Sequence, residues 1–291
     1  MTTIQTHLRK SFAAGLCFII LAGCTETSSV NQIDSPRRDK ISGKIGLSPG
    51  VSPESVYVWL GGTTLKTYTD DAGAFEMTLP ASGRVPPFNV TSSFDLYFYL
   101  ANYKLSSTPV FVDDGQFLYS RGEIGREGML INTRYLQELL IINTLVQPAE
   151  VATSYRGPIL VEVSLAAFLD SVVVVFPKAS GDKHGGILLK HLDSGKIFVD
   201  APDNGFTRTV VEKIGREPSQ YAFDFSFKPN VLPSGRYEII PHFLIAQENM
   251  PAGLLAGLGE NVEAFGPNFL KIPIRRKGGQ FVVRADQIGN Q

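Results

Sequence analysis

The chain has 291 residues, with 27 Lys and Arg against 28 Asp and Glu, a formal net charge of −1. That balance lacks the basic excess that marks nucleic-acid binders, so no nucleic-acid partner is expected. The two cysteines, Cys17 and Cys24, both fall near the start, which leaves no thiol for a disulfide or a thiolate zinc site in the body of the chain.

The first 23 residues have the three parts of an export signal. His7, Arg9 and Lys10 form a basic start without Asp or Glu, and residues 12–22 form an apolar run of 11. A run of that length is too short to span a bilayer as a helix. It ends Leu21-Ala22-Gly23-Cys24. This resembles the lipobox of bacterial lipoproteins. The resemblance implies that residues 1–23 are a removable signal peptide and that Cys24 becomes the acylated (diacylglycerol and palmitate) first residue. Several acyl chains make such an anchor stable, since each buried methylene contributes about 0.8 kcal/mol. Thr25 rather than Asp follows the cysteine, which in the enteric pattern implies the outer membrane of the cell envelope. Taking Arg9 and Lys10 from the 27 basic residues leaves 25 against 28 acidic ones in the mature chain. Residues 24–40 carry almost no apolar content and read as a flexible tether.

From Ile41 onward the pattern predicts short strands broken by turns, hence an all-β fold of two tandem β-sandwich domains, 41–148 and 154–285. Val56, Val58 and Leu60 alternate with Tyr57 and Trp59, and Phe75, Met77 and Leu79 recur at every second residue. Thr69-Asp70-Asp71-Ala72-Gly73 reads as the hairpin connection between those two strands. Leu96, Phe98 and Leu100 alternate with Tyr97 and Tyr99, and Asp113-Asp114-Gly115 is a second tight turn. Residues 123–146 fit either a short helix or buried strands, with strands favoured by their neighbours.

Ile41-Ser42-Gly43-Lys44-Ile45, Ser55-Val56-Tyr57-Val58, Thr69-Asp70-Asp71-Ala72-Gly73-Ala74-Phe75 and Leu79-Pro80 together resemble the carboxypeptidase regulatory-like domain, a transthyretin-like β-sandwich. The resemblance covers residues 41–112 and implies a non-catalytic folding or contact module.

The second domain is expected to begin near Ser154. Ile159, Val161, Val163 and Leu165 alternate, and residues 172–176 form an apolar run suited to a central strand. Asp193-Ser194-Gly195 and Asp203-Asn204-Gly205 read as hairpin turns. Tyr221, Phe223, Phe225 and Phe227 share a face. Pro233-Ser234-Gly235-Arg236-Tyr237 is similar to a strand of immunoglobulin-like sandwiches, with Tyr237 placed to bond backbone as a tyrosine corner. Residues 244–268 read as a long connection. Leu270, Ile272 and Ile274 then predict a strand, and residues 281–283 the last one.

Four groups bear on function. Asp182, His184, His191 and Asp193 fall within twelve residues, with His242 further on, but polar hairpin ends explain them better than a metal site that needs three or four convergent ligands. Asp70-Asp71 and Asp113-Asp114 offer too few oxygens for calcium, which takes six to eight. No G-x-S-x-G elbow accompanies the serines. No catalytic residue, metal or cofactor is therefore expected. The fourth group is an aromatic face of Tyr57, Trp59, Tyr97 and Tyr99: exposed, it would stack on a glycan or a protein, and the competing reading packs it under the second domain or residues 123–146. The function this predicts is a membrane-anchored, non-catalytic binding or scaffolding module for an envelope protein or glycan. The alternatives are an envelope hydrolase and a structural subunit of a surface assembly, which would show a long free strand edge.

Overall fold

A computed structural model describes residues 38–80 and 91–286. The signal segment, Cys24 and most of the tether lie outside the described residues. What is described belongs to one compact unit, Arg37–Gln291. It is predominantly β, with one short helix, and no helix among the described residues is long and apolar enough to cross a membrane.

The first half contains β1 (Lys40–Gly46), β2 (Tyr57–Leu60), β3 (Lys66–Tyr68), β4 (Ala74–Thr78), β5 (Ser92–Tyr99), β6 (Ser106–Asp113), β7 (Gln116–Phe117) and β8 (Arg134–Tyr135). They form two sheets, ordered β4-β1-β8 and β3-β2-β5-β6-β7. Period-two alternation sends Ile41, Ile45, Phe75 and Met77 from one sheet, and Val58, Leu60, Leu96, Phe98 and Val110 from the other, into one buried cluster.

The Asp70 turn works differently from a hairpin. β2 turns back through residues 61–65 into β3, and residues 69–73 carry the chain from the sheet holding β3 to β4, which pairs with β1. Asp70 Oδ1 accepts the backbone N–H groups of Ala72 (3.0 Å) and Ala74 (2.8 Å), so this carboxylate is committed to the turn. Gly73 has φ +79°, and a Cβ there would sit 2.2 Å from the Ile45 carbonyl oxygen. Gly73→Ala is therefore expected to destabilise the chain by about 2 kcal/mol or more, combining a left-handed backbone with a backbone clash. A lowered urea midpoint would register it, and an unchanged midpoint would show that β1 yields without cost.

Residues 123–139 make no helix and little strand. They are pinned to β1 by Ser42 N–H to Gly128 O (2.9 Å), Leu130 N–H to Ser42 O (2.9 Å) and Leu136 N–H to Gly46 O (3.0 Å). Strand structure returns only at β9 (Leu140–Gln147), which pairs with the second half. The second half's apolar cluster therefore begins at Leu140.

The second half continues with β10 (Glu150–Ala152), β11 (Leu160–Ala167), β12 (Val172–Ala179), β13 (Ile187–His191), β14 (Ile197–Asp200), β15 (Phe206–Ile214), β16 (Ser219–Phe223), β17 (Gly235–Pro241) and β18 (Leu244–Ala246). The helix α1 (Leu254–Leu258) follows, then β19 (Lys277–Gly278) and β20 (Gln280–Arg284). One sheet runs β10-β20-β17-β13-β14, and the strands facing it are ordered β16-β11-β9-β19 and β15-β12-β18. Val161, Val163, Val174, Phe176, Ile239 and Phe281 meet between them.

Tyr237 forms the expected corner: its hydroxyl donates to the Pro233 carbonyl at 2.6 Å. The residues 193–195 turn does join the paired strands β13 and β14. The residues 203–205 turn does not join a pair, because β14 and β15 belong to different sheets. Leu270, Ile272 and Ile274 do not make a strand either. Pro267–Lys271 is a 3-10 helix with Pro at its start, where a missing N–H costs nothing.

Candidate functional site

The four rings, which the sequence leaves either on an open face or packed under the second domain or residues 123–146, lie in a third buried cluster. Tyr57, Trp59 and Tyr99 are 0%, 4% and 3% exposed, and Tyr97 is partly covered. Their cover is Leu254, Leu258, Val262, Phe269 and Ile272, with Leu188 and Ile240 of the second half. The aromatic face is thus the seam between the halves and offers no free docking surface, a correction to the exposed reading. Burial and neighbouring Tyr68 push the Tyr57 hydroxyl up to about 12. Trp59 stacks on Tyr97 at 5.6 Å, and its indole N–H donates to Thr63 O at 2.8 Å.

Polar groups lock the same seam. Asn102 is fully buried. Its amide donates to Leu140 O (3.0 Å) and Arg275 O (3.2 Å), and its oxygen accepts from Arg275 N–H (2.9 Å). Gln247 donates to Ala101 O (2.8 Å) and accepts from Leu105 N–H (3.0 Å). A cavity of about 210 Å³ lies beside it, walled by Tyr99, Phe243, Leu255, Phe269 and Ile272 with Glu263 at its edge. Next to that wall stands His242, 4% exposed, with Nε2 3.1 Å from Glu263 O and Nδ1 buried without a partner. Burial, reinforced by the positive charge of Arg276 and opposed by the Glu263 carbonyl, takes its imidazole down to about 4.

A second concavity, about 270 Å³, opens at one end of the second half. Three stretches meet there: the turn after β12, the loop after β14 and the segment after β16. They bring Lys183, Asp200, Asp203, Asn204, Asp224 and Ser226 together. Asp200 Oδ2 accepts Ser226 N–H at 3.0 Å. Burial, with the carboxylates of Asp203 and Asp224, raises the Asp200 carboxyl above its ordinary range, against the Ser226 bond and Lys228. Lys183 Nζ bridges Asp224 Oδ2 at 2.9 Å. Pro202 packs over Gly185, and the rings of Phe206 and Phe265 meet edge-on at 5.4 Å over Gly186. The site is rich in acceptors, so it suits a ligand that brings hydroxyl or ammonium donors.

Sequence reasoning saw Asp203 only as a turn residue and saw nothing in Asp200 or Asp224. Asp200 and Asp203 lie three residues apart at the end of β14, and only the fold brings Asp224 beside them.

The four candidate metal residues have separate jobs. His184 Nε2 lies 2.7 Å from Lys178 Nζ, and its ring sits among Phe176, Tyr221 and Phe223. Asp182 pairs with Arg208 (2.5 Å) and Asp193 with Arg236 (2.8 Å). His191 Nδ1 accepts Ser194 N–H at 3.1 Å. Among the described residues no three His, Cys, Asp or Glu side chains are grouped to hold a metal. Asp113 accepts from Thr91 Oγ1 at 2.5 Å beside its tight turn, where Asp114 and Gly115 both have positive φ. Compared with protein-family models, with curated proteins and with solved structures, the chain matches none.

Proposed function

We propose that this chain is a lipid-anchored lipoprotein of the cell envelope, held at the outer membrane through Cys24, and that it works as a non-catalytic binding or scaffolding module for a glycan or protein partner. In this reading the two halves are tandem sandwiches, the first transthyretin-like and the second immunoglobulin-like. Two sheets contributing to each half's core, and the Tyr237 corner, support that architecture.

The observation that carries the binding role is the acceptor-lined pocket around Asp200, Asp203 and Asp224. A membrane anchor concentrates such a site on a surface, so contacts of modest affinity become effective. Support for the anchor comes from Leu21-Ala22-Gly23-Cys24 and from the surface near the point where the chain enters the fold. There Met129, 52% exposed, bridges to Ser42 near the start of β1, with Ile131 at 63% two residues further on. Exposed apolar side chains beside an acylated segment are suited to rest against lipid.

The test has two arms. Mass spectrometry of the native N-terminus should find Cys24 acylated, and Cys24→Ala should release the protein from membranes. The chain should bind envelope glycans or a crosslinked partner, and the pair Asp200→Asn with Asp224→Asn should weaken that binding tenfold or more. Binding that survives both substitutions would remove the pocket from the account. A hydrolase reading is favoured by one observation, a carboxyl with a raised pKa beside two other carboxylates. The same assay separates the two, because a hydrolase would return its ligand cleaved.

A further inference from the structure

β15 is nine residues long, lies at the end of its sheet beyond β12, and is exposed along most of its length. Its outward face, with Val211 at 65% exposure, continues onto Val173 at 37% and half-buried Val175 of β12. A free edge of this kind is a template for a further strand, and folds usually guard it with charges. The charges on β15 have an unusual order: Arg208 two residues before Val210, and Glu212 two residues after it.

We propose that two copies of this chain pair through β15, antiparallel, about a twofold axis at Val210. That register sets Arg208 of each copy opposite Glu212 of the other, and Thr209 opposite Val211. Opposite charges facing across an antiparallel pair are favourable. Neighbouring registers lose this. A twofold at Thr209 or at Val211 puts neither Arg208 nor Glu212 against an opposite charge. An axis half a residue along, between Val210 and Val211, places Arg208 against Lys213, and any half-residue axis turns inward-facing residues against outward-facing ones. The same charges that repel an arbitrary strand thus admit a second copy. A twofold pairing is isologous and closes on itself, so it yields a dimer and not a fibre. In the single chain Arg208 meets Asp182 and Glu212 accepts from the Tyr221 hydroxyl, so both side chains are already held near the sheet. The inference does not depend on the lipid anchor or on the Asp200 pocket.

The experiment uses the full chain carrying Cys17→Ser and Cys24→Ser, in mild detergent. Sedimentation should show a monomer–dimer equilibrium. Arg208→Glu and Glu212→Arg should each weaken it about tenfold or more, and the double variant should restore it. In the same background Val210→Cys should oxidise to a disulfide dimer, because a residue on the axis faces its own copy at a Cα separation of about 4.5–5.5 Å. Thr209→Cys, displaced from the axis, should crosslink far more slowly. Association driven by the micelle would ignore both the charge swap and the cysteine position. A monomer at every concentration, a double variant as weak as the singles, or equal crosslinking at the two positions would overturn the proposal.

Discussion

Trp59→Ala is expected to destabilise the protein by about 3–5 kcal/mol, the range for deleting a large buried aromatic. The side chain is 4% exposed, stacked on Tyr97, and lies against the backbone of α1: Cβ atoms built at Gly253 and Gly257 fall 3.6 and 3.8 Å from the indole. Those two glycines let the helix lie close to the ring. Truncation leaves a void facing a backbone with little side chain to fill it, which places the cost high in the range. The Thr63 carbonyl also loses its indole donor. The polar locks at Asn102 and Gln247 are untouched, so the halves should stay joined while α1 loosens. Denaturant unfolding should therefore show a lower midpoint, and limited proteolysis should cut first between residues 247 and 266. Loss of stability without new cleavage there would place the damage inside the first half. Wild-type stability would mean that residues 254–272 bind the first half without Trp59.

The seam also shows which parts of this fold were legible in the sequence. Val56, Val58 and Leu60, Phe75, Met77 and Leu79, and Val161, Val163 and Leu165 all alternate, and all point into a core as period two requires. Tyr237 was legible because its turn and strand are contiguous. Tyr57 and Trp59 left two readings open, because β2 is buried on both faces, and a ring with a polar handle reads the same whether water or protein covers it. Most of their cover comes from residues 254–272, about two hundred positions away and too rich in glycine, alanine and proline to show a period, with Leu188 and Ile240 completing it. The misread strand at Leu270, Ile272 and Ile274 has the same root: Phe269 and Ile272 anchor irregular backbone to the first half, and alternation alone does not tell such anchors from a strand. The pocket carboxylates were hidden for another reason. Asp224, after β16, joins Asp200 and Asp203 at the end of β14 only through the fold, a meeting that the residues 203–205 turn does not announce.

Acid should loosen this seam, and His242 sets the window. In an unfolded chain a histidine titrates near 6.5. Folded, His242 takes up its proton only at about 4, because burial disfavours the imidazolium. Between those values the unfolded state binds a proton that the folded state refuses, so stability is complete above pH 6.5, falls as the pH drops, and levels below about 4. The separation corresponds to a loss on the order of 3 kcal/mol. The surroundings do little to soften it. The Glu263 carbonyl can hold one protonated nitrogen, but Nδ1 has no acceptor, and Arg276 brings a second positive charge. His242→Gln keeps an amide able to donate to Glu263 O and removes the titration. Its stability should therefore change less between pH 7 and 4 than that of the parent chain, by roughly that amount, whatever its stability at neutral pH. Urea midpoints across that range, for both proteins, measure the difference directly. Parallel curves would mean that His242 reaches solvent in the folded protein. A steeper loss in the variant would mean that the imidazolium finds a partner in the folded protein.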